Sequence, residues 1–196
     1  MRNIFILILT WIFFSCNNIP QSDYPLVRIE TQFGDIILEI YNDKAPQTSE
    51  AFLANVERGI YKRSHFYRVL NEYNQPSSGF KAELIQGGIY RSNRKLRDSL
   101  PAIPHEPTNI TGLSHKHGTL SMAREAPGTA KTEFFICIGD QPGFDFGGKN
   151  NADGQGYAAF GKVIEGWDVL MKIYSRPFED DNFYPPVVIM DIKRLQ

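Results

Sequence analysis

The stretch "DIILEIYNDKAPQTSEAFLANVERG", Asp35 to Gly59, changes period halfway along. Its first part, "DIILEIY" (35–41), reads as a strand, and a turn at Phe33-Gly34 joins it to "LVRIET" (26–31), where apolar and polar residues alternate. Two period-2 segments this close predict an antiparallel hairpin. Over 45–59 the logic becomes helical. Pro46 suits a first helical position, where a missing N–H costs nothing, Phe52, Leu53 and Val56 share one apolar face, and Gly59 suits the end of the helix.

Working outward, "HFYRVL" (65–70), "ELIQGG" (83–88), "GTLSMA" (118–123), "EFFICI" (133–138), "YAAFGKVI" (157–164) and "PPVVIMDIKRL" (185–195) read as strands. "EGWDVLMKIYS" (165–175) reads as a second helix. Residues 71–82 read as loop and 89–117 as a long irregular stretch, and 139–156 are so dense in Gly, Asp and Asn that they too read as loop. About eight strands and two helices in antiparallel order predict a mainly β fold. That order is typical of a closed barrel.

The 196 residues suit one domain with a well-buried core, and 42% hydrophobic with 22% charged residues is an ordinary globular balance. A formal charge of -1, with one modest basic cluster at "RSNRKLR" (91–97), gives no electrostatic case for nucleic acid. The first residues differ from the rest. Arg2 precedes an apolar run from Ile4 to Phe14, too short to span a bilayer as a helix but suited to a signal-peptide core, and Ser15-Cys16 closes it. That ending resembles the lipobox of bacterial lipoproteins, although Phe13 stands where a smaller aliphatic residue is usual.

The expected organisation is a signal peptide at 1–15, a tether at 16–25 anchored through lipid on Cys16, and one domain over 26–196. Arg2 is the only charged residue removed with the signal, so the net charge moves from -1 to -2. The implied location is a bacterial cell envelope, periplasmic or outer-membrane. Cys137, the only other cysteine, then behaves as a small buried hydrophobe. A Cys16–Cys137 bridge is the other use of the pair.

Several chemistries fail on spacing. "DFGGKNNADG" holds Asp145 and Asp153, but the alternate positions that a calcium loop needs are Gly147 and Lys149. His115 and His117 lack a cysteine or third histidine at ligand spacing and read as exposed loop residues. "GQGYAAFG" lacks the glycine spacing of a dinucleotide fingerprint, and no serine sits in a nucleophile elbow. No metal or cofactor is expected. What stands out is Arg68 within "FYRVL" (66–70), because a guanidinium keeps its charge and is costly to bury unpaired. Either a carboxylate ties it down, or it faces a site where charge is useful.

The blocks "GDIILEIYNDKAPQTSEAFL", "FYRVL", "LIQGG", "GTLSMA", "EFFICIG" and "AAFGKVIEGWDVL" occur in this order between residues 26 and 195. Together they resemble the cyclophilins, barrel-shaped peptidyl-prolyl cis-trans isomerases. The resemblance implies a closed eight-stranded antiparallel β-barrel capped by two α-helices, a peptide groove on its outer face and proline-containing client polypeptides as partners. A monomer is expected. The resemblance places the catalytic arginine at Arg68 and its glutamine partner at Gln86. It further implies an apolar proline pocket from Leu84, Phe135 and Phe144, a peptide-pairing edge at Ala123 and Arg124, and Tyr157 near a position that often carries histidine. Three residues depart from the family pattern. Tyr67 replaces a histidine, Glu133, at the groove, replaces a glutamine, and Glu83 falls where a pocket phenylalanine is common, after the insertion "NEYNQPSSGFKA" whose Phe80 could fill the gap. Glu133 could pair with Arg68 or Arg124. The alternatives on the same sequence are a non-catalytic prolyl-peptide binding or chaperone module, and a lipoprotein barrel holding a small apolar ligand.

Overall fold

The computed structural model describes residues 20–77 and 79–196, so the expected signal peptide and the expected lipid anchor at Cys16 lie outside the described residues. Strands β1 (Leu26–Thr31) and β2 (Gly34–Ile40) form the expected hairpin, with Thr31 opposite Gly34 at its tip. Helix α1 (Pro46–Glu57) follows. Pro46 opens it, and Gly59, at φ +67°, closes it by donating its N–H to the Val56 carbonyl. Next come β3 (Ser64–Leu70), β4 (Leu84–Gly88), β5 (Thr119–Met122), β6 (Phe134–Cys137), β7 (Ala158–Glu165), helix α4 (Trp167–Tyr174), β8 (Phe178–Glu179) and β9 (Asn182–Arg194).

The sheet runs β1-β2-β7-β5-β6-β4-β3-β9, every neighbour antiparallel, and β9 returns to β1, so eight strands close on themselves. Strand β9 makes closure possible through its length: Ser64 and Val27 meet opposite edges of the same 13-residue strand, at Ile189 and Arg194. The two residues of β8 pair only with β9 and lie outside the ring.

Two further helices occupy the stretch expected to be irregular, α2 (Arg94–Ser99) and α3 (Thr108–Thr111). Both are too short to carry an apolar stripe, and α2 buries no residue at all, so periodicity could not reveal them. The Asn93 side chain, accepting from the Leu96 N–H, is what starts α2.

The barrel interior is filled. Phe134 of β6 lies 5.9 Å from Phe52 of α1, 5.7 Å from Tyr61 and 5.9 Å from Phe66 of β3, mostly edge-on. Phe52 in turn meets Phe160 of β7 at 5.1 Å. An eight-stranded barrel has just enough room for its own side chains. These rings occupy the space that an apolar-ligand carrier would need. Among the described residues no helix is long and apolar enough to cross a membrane.

One irregularity matters for function. On β3, Phe66 faces Gly87 of β4 and Arg68 faces Gln86, so Tyr67 is an extra residue, a β-bulge. Strict alternation would point Arg68 the same way as Phe66, into the core. The bulge turns Arg68 outward instead. Gly87 makes the inward step possible, since a Cβ there would stand 2.8 Å from the Phe66 ring.

Candidate active site

The registers place Arg68 of β3, Gln86 of β4, Phe135 of β6 and Ser121 of β5 in one cross-strand row on the outer face. The neighbouring row carries Leu70, Leu84 and Cys137. A second apolar cluster, separate from the core, builds on these rows from Ala82, Leu84, Phe135, Cys137 and Phe144, with Leu70, Ala123 and Tyr157 against it. Its rings form a nest. Phe135 meets Phe144 at 5.2 Å and Tyr157 at 5.3 Å, and Phe144 meets Tyr157 at 5.2 Å, all edge-on. Phe144 arrives on a short 3-10 turn, Pro142–Phe144. The nest opens on a cavity of about 280 Å³ that Arg68 also lines.

Arg68 is held but not consumed. Its Nε donates to Asp181 Oδ2 at 2.7 Å and its Nη1 to Gln86 Oε1 at 3.2 Å, while Nη2 has no partner among the described residues. Its side chain is 37% exposed, so the pair with Asp181 is screened and contributes at most about 1 kcal/mol. Asp181 went unrecognised in the sequence. It stands 113 residues away, in the β8–β9 turn, and no local pattern marks it.

A second cavity of about 460 Å³ adjoins the first, and Gln86, Ala123 and Arg124 line both. The groove is therefore two pockets with those three residues between them. The Ala123 N–H donates to the Glu133 carbonyl, which leaves the Arg124 N–H as free backbone on this edge among the described residues. The Arg124 side chain has a structural task. It makes a two-pronged ion pair with Asp153 (2.7 and 2.9 Å), donates to the Gly156 carbonyl at 2.9 Å, and lies over the Tyr157 ring at 5.2 Å. At 1% exposure it fastens the 145–157 loop and presents no charge to a ligand.

Two readings, of Glu133 and His115, are corrected here, and Glu83 finds its place. Glu133 reaches neither Arg68 nor Arg124; its carboxylate accepts from the Tyr67 hydroxyl and from the Ile89 and Tyr90 N–H groups. Glu83 stays out of the pocket, its carboxylate accepting from the Tyr174 hydroxyl. His115 is buried, at 1% exposure, rather than exposed. Its ring stacks on Phe135 (6.0 Å, 13° between planes), its Nδ1 lies 2.7 Å from Asp145 Oδ1, and its Nε2 lies 2.9 Å from Ser121 Oγ. Burial alone would push the Asp145 carboxyl up, but hydrogen bonds from the His115 ring and N–H override it and hold Asp145 below the usual carboxylate range.

Phe80 does line the first cavity, as a rim residue that is 62% exposed with Lys149 Nζ 5.1 Å from its ring centre. Cys137 is buried and its thiol is pushed up by burial, as a packing residue's should be. No group of three or more His, Cys, Asp or Glu side chains converges as a metal site among the described residues.

A family model for cyclophilin type peptidyl-prolyl cis-trans isomerases matches residues 26–194, the whole barrel. The chain belongs to the cyclophilin family. It is 37% identical over 149 residues to peptidyl-prolyl cis-trans isomerase B of Escherichia coli (strain K12), covering 76% of this chain and 83% of that protein. It is 36% identical over 153 residues to a peptidyl-prolyl cis-trans isomerase of Acinetobacter baylyi, covering 78% of this chain and 73% of that one. Among solved structures, a Cryptosporidium parvum cyclophilin type isomerase determined in the presence of the dipeptide Ala-Pro superposes with a TM-score of 0.68 at 25% identity. That match covers 87% of this chain and 99% of the other. The cyclophilin barrel and the outward row of Arg68, Gln86 and Phe135 thus stand together in one chain.

Proposed function

We propose that this cyclophilin accelerates rotation about Xaa-Pro bonds with Arg68 as its catalytic residue. The observation that carries the proposal is the guanidinium itself, steadied by Asp181 and Gln86 at the mouth of the aromatic nest, with Nη2 unpartnered among the described residues. Rotation about an amide passes through a state without resonance, at a cost of about 18–20 kcal/mol. No bond is made or broken, so no nucleophile or metal is called for. In the twisted state the proline nitrogen regains a lone pair, which a guanidinium beside it can bind and which the planar amide lacks. That is binding of the transition state in preference to the ground state. Lowering the barrier by about 5–6 kcal/mol is worth roughly four orders of magnitude in rate.

Leu84, Phe135 and Phe144 hold the proline ring, with Tyr157 against them, and the Ala123–Arg124 edge pairs with the extended peptide through the free Arg124 N–H. Every one of these groups comes from a single chain, which supports action as a monomer on proline-containing clients. The N-terminal sequence supports attachment to an envelope membrane through lipid on Cys16. Metabolic labelling with palmitate should mark the protein and not Cys16→Ala, and label retained by that variant would remove the anchor.

The test of the central claim is cis-trans exchange of an Ala-Pro-Phe peptide followed by NMR. Arg68→Ala should lower kcat/KM by about 10²–10³-fold with the peptide still bound. The Arg68–Asp181 pair favours a second reading, in which Arg68 is structural and the groove only binds peptide. Equal binding by both proteins with no acceleration by either would select that reading.

A further inference from the structure

Tyr67 and Glu133, two of the three departures from the family pattern, touch each other beside the catalytic row. The Tyr67 hydroxyl donates to Glu133 Oε2 at 2.7 Å and accepts from Gln86 Nε2 at 2.8 Å. Gln86 Oε1 in turn accepts from Arg68 Nη1. Glu133, Tyr67, Gln86 and Arg68 therefore form one unbroken chain of hydrogen bonds from a buried carboxylate to the guanidinium.

The chain has a direction. Oε1 of Glu133 accepts from the Ile89 N–H at 3.0 Å, the Tyr90 N–H at 3.1 Å and Thr132 Oγ1 at 2.9 Å, so its surroundings supply donors only. Gly88, at φ +143°, makes room for the carboxylate, because any Cβ there would overlap it. Burial raises the Glu133 carboxyl, but the hydrogen bonds from Tyr67, Thr132 and the Ile89 and Tyr90 N–H groups oppose that. A carboxylate met by four donors accepts from each, so the Tyr67 hydroxyl donates to Glu133 and takes the next hydrogen bond from Gln86. The Gln86 amide must then turn its NH2 to Tyr67 and its carbonyl to Arg68. A guanidinium can only donate, so that carbonyl is the end it requires. Were the amide flipped, an NH2 would face the guanidinium and push it away. The bulge makes the contact possible by turning Arg68 outward, onto the same face as Tyr67.

We infer that Tyr67 and Glu133 are positioning residues of the isomerase, which lock the Gln86 amide through this chain and so set the aim of Arg68. The inference rests on the reading of Arg68 as catalytic. Neither residue touches the proline pocket, because both line the adjoining cavity instead. Their loss should therefore lower kcat by more than it changes KM.

The test is a set of variants of the protein, each checked by thermal unfolding and assayed by NMR exchange and peptide titration. Tyr67→Phe removes one oxygen and should lower kcat roughly ten- to a hundredfold, the scale of a small misplacement of a catalytic group. Glu133→Gln should do the same, and Tyr67→Phe with Glu133→Gln should be no worse than either alone, since one chain is broken in each case. The side-chain amide resonances of Gln86 should move or broaden in all three. Should Glu133→Gln fail to fold, Tyr67→Phe carries the test alone.

Full kcat in Tyr67→Phe, or losses in the two single variants that multiply in the double, would overturn the relay. Arg68→Ala separates the two levels. If it is inactive while Tyr67→Phe is unaffected, only the relay falls. If Arg68→Ala keeps full activity, the reading of Arg68 falls first.

Discussion

Phe134 and Phe135 are consecutive residues of β6, chemically identical and both buried, yet they belong to different parts of the protein. Phe134 points inward and meets Phe52, Tyr61 and Phe66, rings delivered by α1, the loop after it and β3. Phe135 points outward and meets Phe144 and Tyr157 across an open cavity, with His115 behind it. The inner ring is surrounded by chain on every side. The outer ring is backed by a polar buttress, His115 with Asp145 and Ser121, and faces a space for a ligand. One strand thus divides its work, with stability on one face and recognition on the other.

The sharpest way to break this division is to remove the rings one at a time. Phe134→Ala should destabilise the protein by about 3–5 kcal/mol, because closed barrel walls cannot collapse into the space left behind. Against a typical total of about 5–15 kcal/mol that is a large share, readable as a fall in the urea midpoint. A loss under about 1 kcal/mol would mean the interior does not depend on this ring.

Phe135→Ala should behave differently. Its cluster already opens to solvent and can relax or hydrate, so the stability loss should be nearer about 1–2 kcal/mol. Peptide affinity should fall roughly tenfold, the worth of about 1.4 kcal/mol of lost apolar contact. If the two variants lost equal stability and peptide binding were untouched, the two faces would not differ as argued.

The inner face was far more legible than the outer. Strand period, the Pro46 and Gly59 boundaries of α1 and the antiparallel order led to a closed barrel, because each depends on residues near in sequence. The outer face depends on long-range facts. Nothing in "FYRVL" announces a bulge, since no glycine stands at Tyr67, and period 2 alone sends Arg68 into the core. Resemblance pointed to Arg68 where periodicity could not, and the Arg68 side chain lines the outer cavity. Its anchor Asp181 and the partners of Glu133 and His115 come from other strands and loops, and a polar residue's burial follows from partners that a linear pattern does not show.

The smallest expected effect concerns the buttress. Burial would raise the Asp145 carboxyl, but its hydrogen bonds from His115 outweigh that and depress it. A depressed carboxyl adds stability above its ordinary unfolded value, near pH 4, and that contribution is lost as pH falls through the lower native value. At pH 7 Asp145→Asn should therefore unfold at lower urea than the parent, and the gap should close on acidification below about pH 4. Phe134→Ala provides the control, since an apolar contact has no proton to lose and its deficit should persist across the same range. A gap for Asp145→Asn that stayed constant down to low pH would mean that the ionised carboxylate does not hold His115 against Phe135. The outer face would then rest, like the inner one, on apolar packing.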